Sequence, residues 1–259
     1  MVRYQVIIAY DGTHFQGFQH QAFGRTVQDE VEKALHRLNW QGKSLLAAGR
    51  TDSGVHASGQ VIAFDLDWRH PVEELKAALN ALLPDDIVVR QVKPAPPGFH
   101  PRRDAISRQY HYRVIFQEVR DPLRERYAWR VWPPADPRVL QQATVALIGK
   151  HDFAAFGAPP RSGGSTVRTI YQADWFQRED VWVFAVTADA FLYHMVRRMV
   201  HFLIAVGQGK ESPGKVSDLL KMPEAGEPVT LVQGLAPARG LCLIAVNYPS
   251  ATELEERGI

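Results

Sequence analysis

The order of periodic segments in the first hundred residues constrains the fold of this chain most strongly. Residues 3–10 alternate between apolar and polar side chains, which indicates a half-buried strand. Thr26 followed by Asp29 is a helix-capping pattern, and apolar residues continue from it at helical spacing. Next come two strand patterns, at residues 45–48 and 60–66. They are followed by a helix between Pro71 and Pro84 and by a last strand pattern at residues 87–92. This order predicts a split βαβ unit, which is a mainly antiparallel sheet with helices on one face.

The second half of the chain has a similar but looser order of elements. Strand patterns occupy residues 109–116 and 241–246, and helix patterns occupy residues 137–148 and 192–206. A hairpin pattern that turns at QRED occupies residues 173–187. Between the halves, residues 93–102 (KPAPPGFHPR) are rich in proline and lack periodicity, so they are the predicted linker. We therefore expect an α+β protein with two similar domains, residues 1–100 and 101–250, and a polar tail at residues 251–259.

Composition excludes several classes of protein. The longest apolar run is interrupted by Arg197 and Arg198, so it falls short of the roughly 18 residues that a membrane span needs. The apolar start is too short for a signal peptide, and the single Cys242 excludes a disulfide framework, so we expect a cytoplasmic protein. The ten histidines form no HExxH pattern, and no phosphate loop or dinucleotide fingerprint occurs. We therefore expect neither a metal nor a nucleotide cofactor.

Positive charge is concentrated in the middle of the chain. Residues 90–130 hold ten basic and four acidic side chains, and nine of the basic ones are arginines. Arginine binds phosphate through two parallel hydrogen bonds and stacks on bases, and tyrosines are interleaved here. This pattern favours a nucleic-acid-binding face over a merely solvated one, with Arg102 and Arg103 as candidate phosphate contacts.

One carboxylate lies in a glycine-framed loop between two predicted strands. The loop is AAGRTDSGVHASGQ, residues 47–60, and its carboxylate is Asp52. Such an aspartate could be a nucleophile, a general base or a cation ligand. On composition alone, an ordinary turn in which Asp52 accepts backbone hydrogen bonds is the more frequent explanation.

Three further patterns leave alternatives open. The aromatic and amide side chains of residues 9–26 suit either RNA binding or the filling of a core. Tyr110 and Tyr112 share one strand face, so at least one should be buried, and the other could stack on a base. The helix at residues 192–206 is apolar enough to bury an arginine with an anionic partner, but periodicity does not choose between its two arginines.

The motif GRTDSGVHA resembles that of the tRNA pseudouridine synthase A family. YDGTHFQGFQHQ is similar to the family's opening loop, with Phe18 where tryptophan is common, and RQYHYRV to its tyrosine strand. The family's central block is similar to HDFAAFG with VRTIYQADW. Its arginine helix is similar to FLYHMVRRMV, and its closing strand to APARGLCLIAVNYP. These motifs keep the family order from about residue 3 to residue 249.

The resemblance implies a homodimeric enzyme that isomerises uridine to pseudouridine at positions 38, 39 and 40 of the tRNA anticodon stem-loop, without metal or cofactor. It also implies RNA-recognition-like domains with the active-site cleft between them. The implied site residues are the catalytic Asp52 (nucleophile or base), Tyr110 (stacking on uracil and able to move a proton), Arg197 (counter-charge to Asp52), Arg50 (base flipping) and Leu241 (base pocket). Two departures are His201 in place of a glycine and Ser53 in place of an alanine.

Two other functions compete with this one. A non-catalytic RNA-binding module gains nothing from a lone carboxylate that faces phosphates, which argues against it. A metal-dependent ribonuclease would need clustered carboxylates, yet Asp52 has no acidic neighbour between Glu32 and Asp65. The route of the isomerisation, by attack at C1′, addition at C6 or a glycal, stays open.

Overall fold

The computed structural model of the chain describes residues 1–159, 161, 163–221 and 231–249. These residues cluster into two units, the first formed by residues 1–106 and 242–249 and the second by the described part of Ser107–Leu241. Each unit combines a mainly antiparallel sheet with helices. The structure therefore confirms the predicted α+β class.

The first unit is built on five paired strands. Its elements are β1 (Val2–Tyr10), α1 (Val27–Arg37), β2 (Leu46–Ala47), β3 (His56–Leu66), α2 (Val72–Leu82), β4 (Ile87–Pro94) and β10 (Leu241–Asn247). The strand order is β4-β1-β3-β10, and β2 also pairs with β3. The β1–β3, β1–β4 and β2–β3 pairs are antiparallel, whereas β10 runs parallel to β3.

Local sequence explains the start of α1. The Asp29 backbone N–H donates to the Thr26 hydroxyl at 3.2 Å, which confirms the predicted cap. The helix buries Val27, Val31 and Leu35 on one face, as the predicted apolar stripe requires. Burial of each such side chain stabilises the fold by about 1.5–3 kcal/mol.

The predicted linker is part of the first unit, so this expectation was wrong. The Ala95 backbone N–H donates to the Arg3 carbonyl at 2.9 Å, and the Arg3 guanidinium donates to the Phe99 carbonyl at 2.9 Å. The Phe99 ring packs in a cluster with Ala48 and Val61. Prolines prevent regular structure in this segment, but they do not prevent its packing against the sheet.

The closing strand also groups differently from the prediction. β10 was expected within the domain of residues 101–250, yet Cys242 and Leu243 pair with His56 and Ala57 of β3. This pairing is formed by main-chain groups about 185 residues apart, which side-chain periodicity does not reveal. The predicted polar tail, residues 251–259, lies outside the described residues.

The strands β5, β9, β8 and β7 of the second unit pair antiparallel in that order. Its elements are β5 (Ser107–Phe116), β6 (Trp129–Val131), α3 (Pro137–Val145), β7 (Gly149–Asp152), β8 (Val167–Arg178), β9 (Val181–Ala188), α4 (Met195–Gly207) and α5 (Lys215–Leu219). β6 runs parallel to β5. The hairpin predicted around QRED is confirmed, because β8 and β9 pair as far as Arg178 and Val181.

Helix α4 begins three residues later than predicted. His194 adopts a left-handed backbone conformation with φ of 65°, so the preceding residues 192–194 are not helical. The helix then buries an apolar stripe that includes Met195, Met199 and Leu203. Among the described residues, no helix is long and apolar enough to cross a membrane.

Candidate functional site

The loop that carries Asp52 joins β2 to β3 and is held by main-chain contacts. Its neighbours Thr51 and Val55 are 8% and 2% exposed, whereas Asp52 itself is half-buried. The Val55 backbone N–H donates to the Asp52 carbonyl at 3.1 Å and closes the turn. The sequence therefore places a partly exposed carboxylate between two buried anchors.

The opening loop, residues 11–26, packs against this aspartate loop. The Phe18 backbone N–H donates to the Thr51 carbonyl at 3.0 Å, and the Gly54 N–H donates to the Phe15 carbonyl at 3.3 Å. The Ser53 hydroxyl also donates to the Phe15 carbonyl, at 3.1 Å. The structure thus brings together two motifs that lie about forty residues apart in the sequence.

The aromatic side chains of the opening loop differ in burial. Phe15 and Phe18 are both buried and fill the core of the unit. Phe23 is 89% exposed and lies at the surface of the same loop. Core filling therefore accounts for two of the three rings.

Gly12 lies where the two loops approach most closely. A Cβ atom on Gly12 would lie 2.1 Å from the Val55 carbonyl oxygen, so only glycine fits. The Gly12 backbone N–H donates to Nδ1 of the buried His56 at 3.0 Å, and this nitrogen lies 3.1 Å from an Asp11 carboxylate oxygen. The Tyr10 and Thr51 hydroxyls lie 2.8 Å apart beside these contacts.

Two charged contacts hold the far end of the opening loop. The Arg25 guanidinium donates to both Asp86 carboxylate oxygens, at 2.6 and 2.9 Å, and lies 4.3 Å from the centre of the Phe15 ring. His20 contacts the Asp29 and Glu32 carboxylates, with 2.8 Å between its Nε2 and the Glu32 oxygen. Both contacts fix the loop against its own unit.

The carboxylates around His20 change its acidity. Partial burial lowers the pKa of His20, but hydrogen bonds and charge from Glu32 and then Asp29 outweigh this and raise the pKa above its ordinary value. The pKa of Asp29 is lowered, because hydrogen bonds from Thr26 and His20 outweigh the effect of its burial. The cluster is therefore strongest when His20 is protonated.

Three arginines of the predicted site are exposed on the first unit. Arg50 lies in the aspartate loop two residues before Asp52, and Arg102 and Arg103 lie on a turn closed by the Asp104 backbone N–H, which donates to the His100 carbonyl at 3.1 Å. The His100 N–H donates in return to the Asp104 carboxylate at 2.7 Å. The turn presents both guanidinium groups on a fixed backbone.

Several other arginines of residues 90–130 bind to the protein itself. Arg108 donates to the Asp189 carbonyl at 2.7 Å, and Arg124 contacts the Asp180 carboxylate at 2.6 Å. These side chains connect β5 and the following loop to neighbouring segments of the second unit. The basic segment is therefore not a uniform phosphate-binding face.

Glu125 gathers three more arginines. Its carboxylate lies 3.3 Å from Arg120, 3.3 Å from Arg130 and 3.8 Å from Arg239. Burial raises the pKa of Glu125, but hydrogen bonds from Arg120 and the Asp121 backbone N–H, with the charges of Arg120 and Arg130, lower it overall. Glu125 therefore remains ionised and orders the loop before β6.

The two tyrosines of β5 have different environments. Tyr110 is half-buried, and its ring meets Phe191 edge to face with 5.1 Å between centres. Tyr112 is fully buried, and its hydroxyl donates to the Pro237 carbonyl at 2.7 Å. Burial raises the pKa of Tyr112 far above its ordinary value, so its hydroxyl stays protonated. Tyr112 is thus the core member of the pair.

The two arginines of α4 are both half-buried, and they differ in their contacts. The Arg197 Nε donates to the Ala236 carbonyl at 2.8 Å, and the Ala236 N–H donates to the Arg197 carbonyl at 3.3 Å. Arg198 donates its backbone N–H to the His194 carbonyl at 3.0 Å. The structure thereby brings Arg197 to the segment that ends at the buried Leu241.

His201 fits into the second unit through a stacked ring. Its imidazole lies parallel to Trp129 with 6.0 Å between centres, and a Cβ on Gly234 would lie 2.1 Å from it. Burial and then the charge of Lys210 lower the pKa of His201. The histidine is accommodated because a glycine faces its ring.

Sequence reasoning missed two groups of contacts that support these side chains. It did not find the bond from Tyr112 to Pro237, although the strand pattern predicted a buried tyrosine. It also missed the His20 cluster, for which the acidic residues of α1 were the available signal. Within the first unit the structure joins the Asp52 loop to the opening loop, and within the second it joins Arg197 to the segment before Leu241.

Comparison with known proteins agrees with these motifs. A family model described as tRNA pseudouridine synthase matches residues 6–102 and 143–249. A tRNA pseudouridine synthase A from an Exiguobacterium species is 40% identical over 249 residues, which is 96% of this chain and 98% of the relative. One from Bacillus subtilis is 40% identical over 252 residues, covering 95% and 99% respectively.

One solved structure shows a weaker similarity. A chain of a Cbf5-Nop10-Gar1 complex has 13% identity and a TM-score of 0.37, over 78% of this chain and 45% of that one. This likeness is too weak to bear on the fold. The family match, in contrast, covers most of the chain, and the relatives at 40% identity extend over nearly all of it. The chain belongs to the tRNA pseudouridine synthase family.

Proposed function

We propose that this chain isomerises uridine to pseudouridine at positions 38, 39 and 40 of the tRNA anticodon stem-loop. Its relatives are named as tRNA pseudouridine synthases, which supports both the reaction and the substrate. The observation that carries the proposal is the geometry of Asp52. A single partly exposed carboxylate lies on a loop whose neighbours, Thr51 and Val55, are buried and bonded through the main chain.

The reaction needs only groups that a protein side chain can supply. The bond from C1′ to N1 breaks, the uracil turns, C1′ joins C5, and the C5 proton leaves as N1 gains a proton. No atom or electron is lost overall, so no cofactor or co-reactant is required. The ionised carboxylate of Asp52 acts as nucleophile at C1′ or C6, or as the base that removes a ribose proton on a glycal route.

Arg197 supplies the positive counter-charge to Asp52 in the reaction. A carboxylate that is removed from water is destabilised unless an opposite charge lies close to it, and a guanidinium supplies that charge. Guanidinium suits the role because it stays charged in proteins. The bond from Arg197 Nε to the Ala236 carbonyl fixes the plane of the group and supports this assignment.

The remaining residues bind the substrate. Tyr110 stacks on the flipped uracil, and its hydroxyl moves the C5 proton, while Leu241 lines the base pocket. Arg50 fills the gap that the flipped base leaves, which offsets part of the few kcal/mol that flipping costs. The exposed Arg102 and Arg103 bind phosphates of the tRNA backbone.

The proposal includes the organisation of the protein. The strand order β4-β1-β3, with β2 on the other side of β3, supports the interpretation of the first unit as a split βαβ, RNA-recognition-like domain. The partners are tRNA and a second copy of the chain in a homodimer, as the resemblance to the family implies. The compartment is the cytoplasm, as the composition of the sequence leads us to expect.

The test measures product and binding on one preparation. Purified protein is incubated with tRNA that carries tritium at uracil C5, in EDTA, and tritium release and pseudouridine positions are determined. We expect pseudouridine at positions 38–40 with wild type and none with Asp52→Asn. The variant should stay folded and bind tRNA, because asparagine keeps the size of aspartate and the turn is closed by the main-chain carbonyl of residue 52, which the substitution leaves in place.

Each contrary outcome has a distinct meaning. Binding of tRNA by wild type without product would indicate a non-catalytic RNA-binding module. Strand cleavage would indicate a nuclease. Product from Asp52→Asn at near wild-type rate would remove Asp52 from the mechanism, and loss of folding together with activity would make Asp52 a structural turn residue.

A further inference from the structure

The segment from Ala236 to Leu241 is held by two side chains of the second unit. It forms a short 3-10 turn, Ala238–Gly240, directly before β10. The carbonyl of Ala236 accepts a hydrogen bond from Arg197 Nε at 2.8 Å, and the next carbonyl, that of Pro237, accepts one from the Tyr112 hydroxyl at 2.7 Å. Two consecutive peptide groups are thereby fixed by two different elements, α4 and β5.

The Tyr112 ring cannot move away from this turn. It is fully buried, and Trp129 meets it edge to face with 6.4 Å between ring centres. A Cβ on Gly240 would lie 2.6 Å from the Tyr112 Cζ atom, so the turn backbone also packs closely against the ring. The hydroxyl therefore has one fixed direction, which is toward the Pro237 carbonyl.

The bond from Tyr112 is the stronger of the two that Pro237 accepts. The Gly240 backbone N–H also donates to the Pro237 carbonyl, but at 3.4 Å, which is at the long end for a hydrogen bond. Loss of the tyrosine hydroxyl would leave this partly buried carbonyl with only the longer bond. The turn would then be free to shift, and the Ala236 carbonyl would shift with it.

We propose that Tyr112 is a positioning residue that acts through Arg197 and Leu241. Its hydroxyl sets the Pro237 peptide, the adjoining Ala236 carbonyl orients the Arg197 guanidinium, and the far end of the turn sets Leu241. Displacement of a reacting group by about 1 Å can lower a rate by roughly 10²-fold. The inference rests on the proposed function, in which Arg197 and Leu241 serve the reaction.

The first test is Tyr112→Phe, which keeps the ring on Gly240 and removes only the hydroxyl. We expect kcat to fall about tenfold and KM for tRNA to change by less than about twofold. The matched control is Thr144→Val, which removes another buried hydroxyl of the same unit that bonds to Leu140 and Trp175. Both variants should lose a few degrees of melting temperature, but the control should keep the wild-type kcat.

A double variant tests whether Tyr112 acts through Arg197. Arg197→Lys removes the Nε donor, so the addition of Tyr112→Phe to this background should lower kcat by clearly less than the roughly tenfold loss expected in wild type, because only the part that acts through Leu241 remains. Multiplication of the two single effects would overturn the proposed connection. If Tyr112→Phe does not fold, Gly240→Ala replaces it, because the added methyl pushes the turn off the ring while the hydroxyl remains.

The outcomes separate this inference from the proposed function. If wild type forms no pseudouridine, the proposed function fails. If wild type is active and Tyr112→Phe or Gly240→Ala has the wild-type kcat, the positioning role alone is refuted. An equal loss of kcat in Thr144→Val would also refute it, because general destabilisation would then explain the effect.

Discussion

Replacement of Gly12 by alanine tests whether the opening loop determines the position of Asp52. The new Cβ would lie 2.1 Å from the Val55 carbonyl oxygen and 2.5 Å from its carbonyl carbon, whereas ordinary contacts begin near 3.4 Å. The two backbones must therefore separate by about 1 Å. Because Val55 presents main-chain atoms and is buried, no side-chain rotation can relieve the contact.

The expected cost follows from two contacts. Overpacking of a well-packed site costs about 1–3 kcal/mol, and weakening of the Gly12 hydrogen bond to His56 costs about 0.5–1.5 kcal/mol more. Together they should lower the free energy of unfolding by about 2–4 kcal/mol, which is a fall of roughly 5–15 °C in melting temperature. Displacement of the Asp52 loop by about 1 Å should also lower kcat by about 10²-fold in molecules that remain folded.

The assay combines thermal unfolding by circular dichroism with single-turnover pseudouridine formation on the same preparation. Gly214→Ala is the control, because its backbone φ is −63° and the nearest atom to the new methyl would be 3.8 Å away. This control should stay within about 0.5 kcal/mol of wild type. A Gly12→Ala protein with wild-type melting temperature and kcat would refute the close approach of the two loops.

Three other perturbations test separate parts of the site. Arg197→Met should lower kcat by at least about 10²-fold and Arg198→Met far less, and the reverse order by rapid-quench kinetics would reassign the counter-charge. Joint replacement of Arg102 and Arg103 by glutamate should weaken tRNA binding and flatten its salt dependence, so an unchanged slope would show a merely solvated turn. His20→Gln should reduce the free energy of unfolding by up to about 1 kcal/mol at pH 5.5. The pKa of His20 is raised in the folded state, so its contribution to the free energy of unfolding is fully present below its unfolded pKa near 6.5. That contribution is lost as pH rises through the folded pKa. Urea unfolding should therefore show a smaller difference between His20→Gln and wild type at about pH 9.

Local pattern was sufficient to predict much of the secondary structure. The cap at Thr26, strand β1 and the β8–β9 hairpin follow from side-chain spacing and turn residues within a few positions. The start of β3 at His56 could not be predicted in this way, because residues 56–59 are polar or small and do not alternate. They become strand through pairing with β1 and with β10, which lies far along the chain.

The sequence identified candidate residues for the site, but it did not reveal the contacts that hold them. Asp52 and the opening loop were both identified from sequence, but they meet through the carbonyls of Thr51 and Phe15, which every residue type possesses. Tyr110 and Tyr112 are equivalent by strand periodicity. They differ in the structure because the turn before β10 lies on Tyr112, and this turn is more than 120 residues away along the chain.

These contacts explain why activity should depend on residues that never touch the substrate. Asp52 is only partly exposed and its loop conformation is set by buried neighbours, while the Arg197 guanidinium is set by a backbone carbonyl that Tyr112 holds indirectly. Neither of these two proposed reactive groups can compensate for a shift in its support, since each support is a main-chain atom without rotameric freedom. Substitutions at Gly12 and Tyr112 should therefore lower kcat more than KM, whereas substitutions at the exposed arginines should mainly weaken tRNA binding.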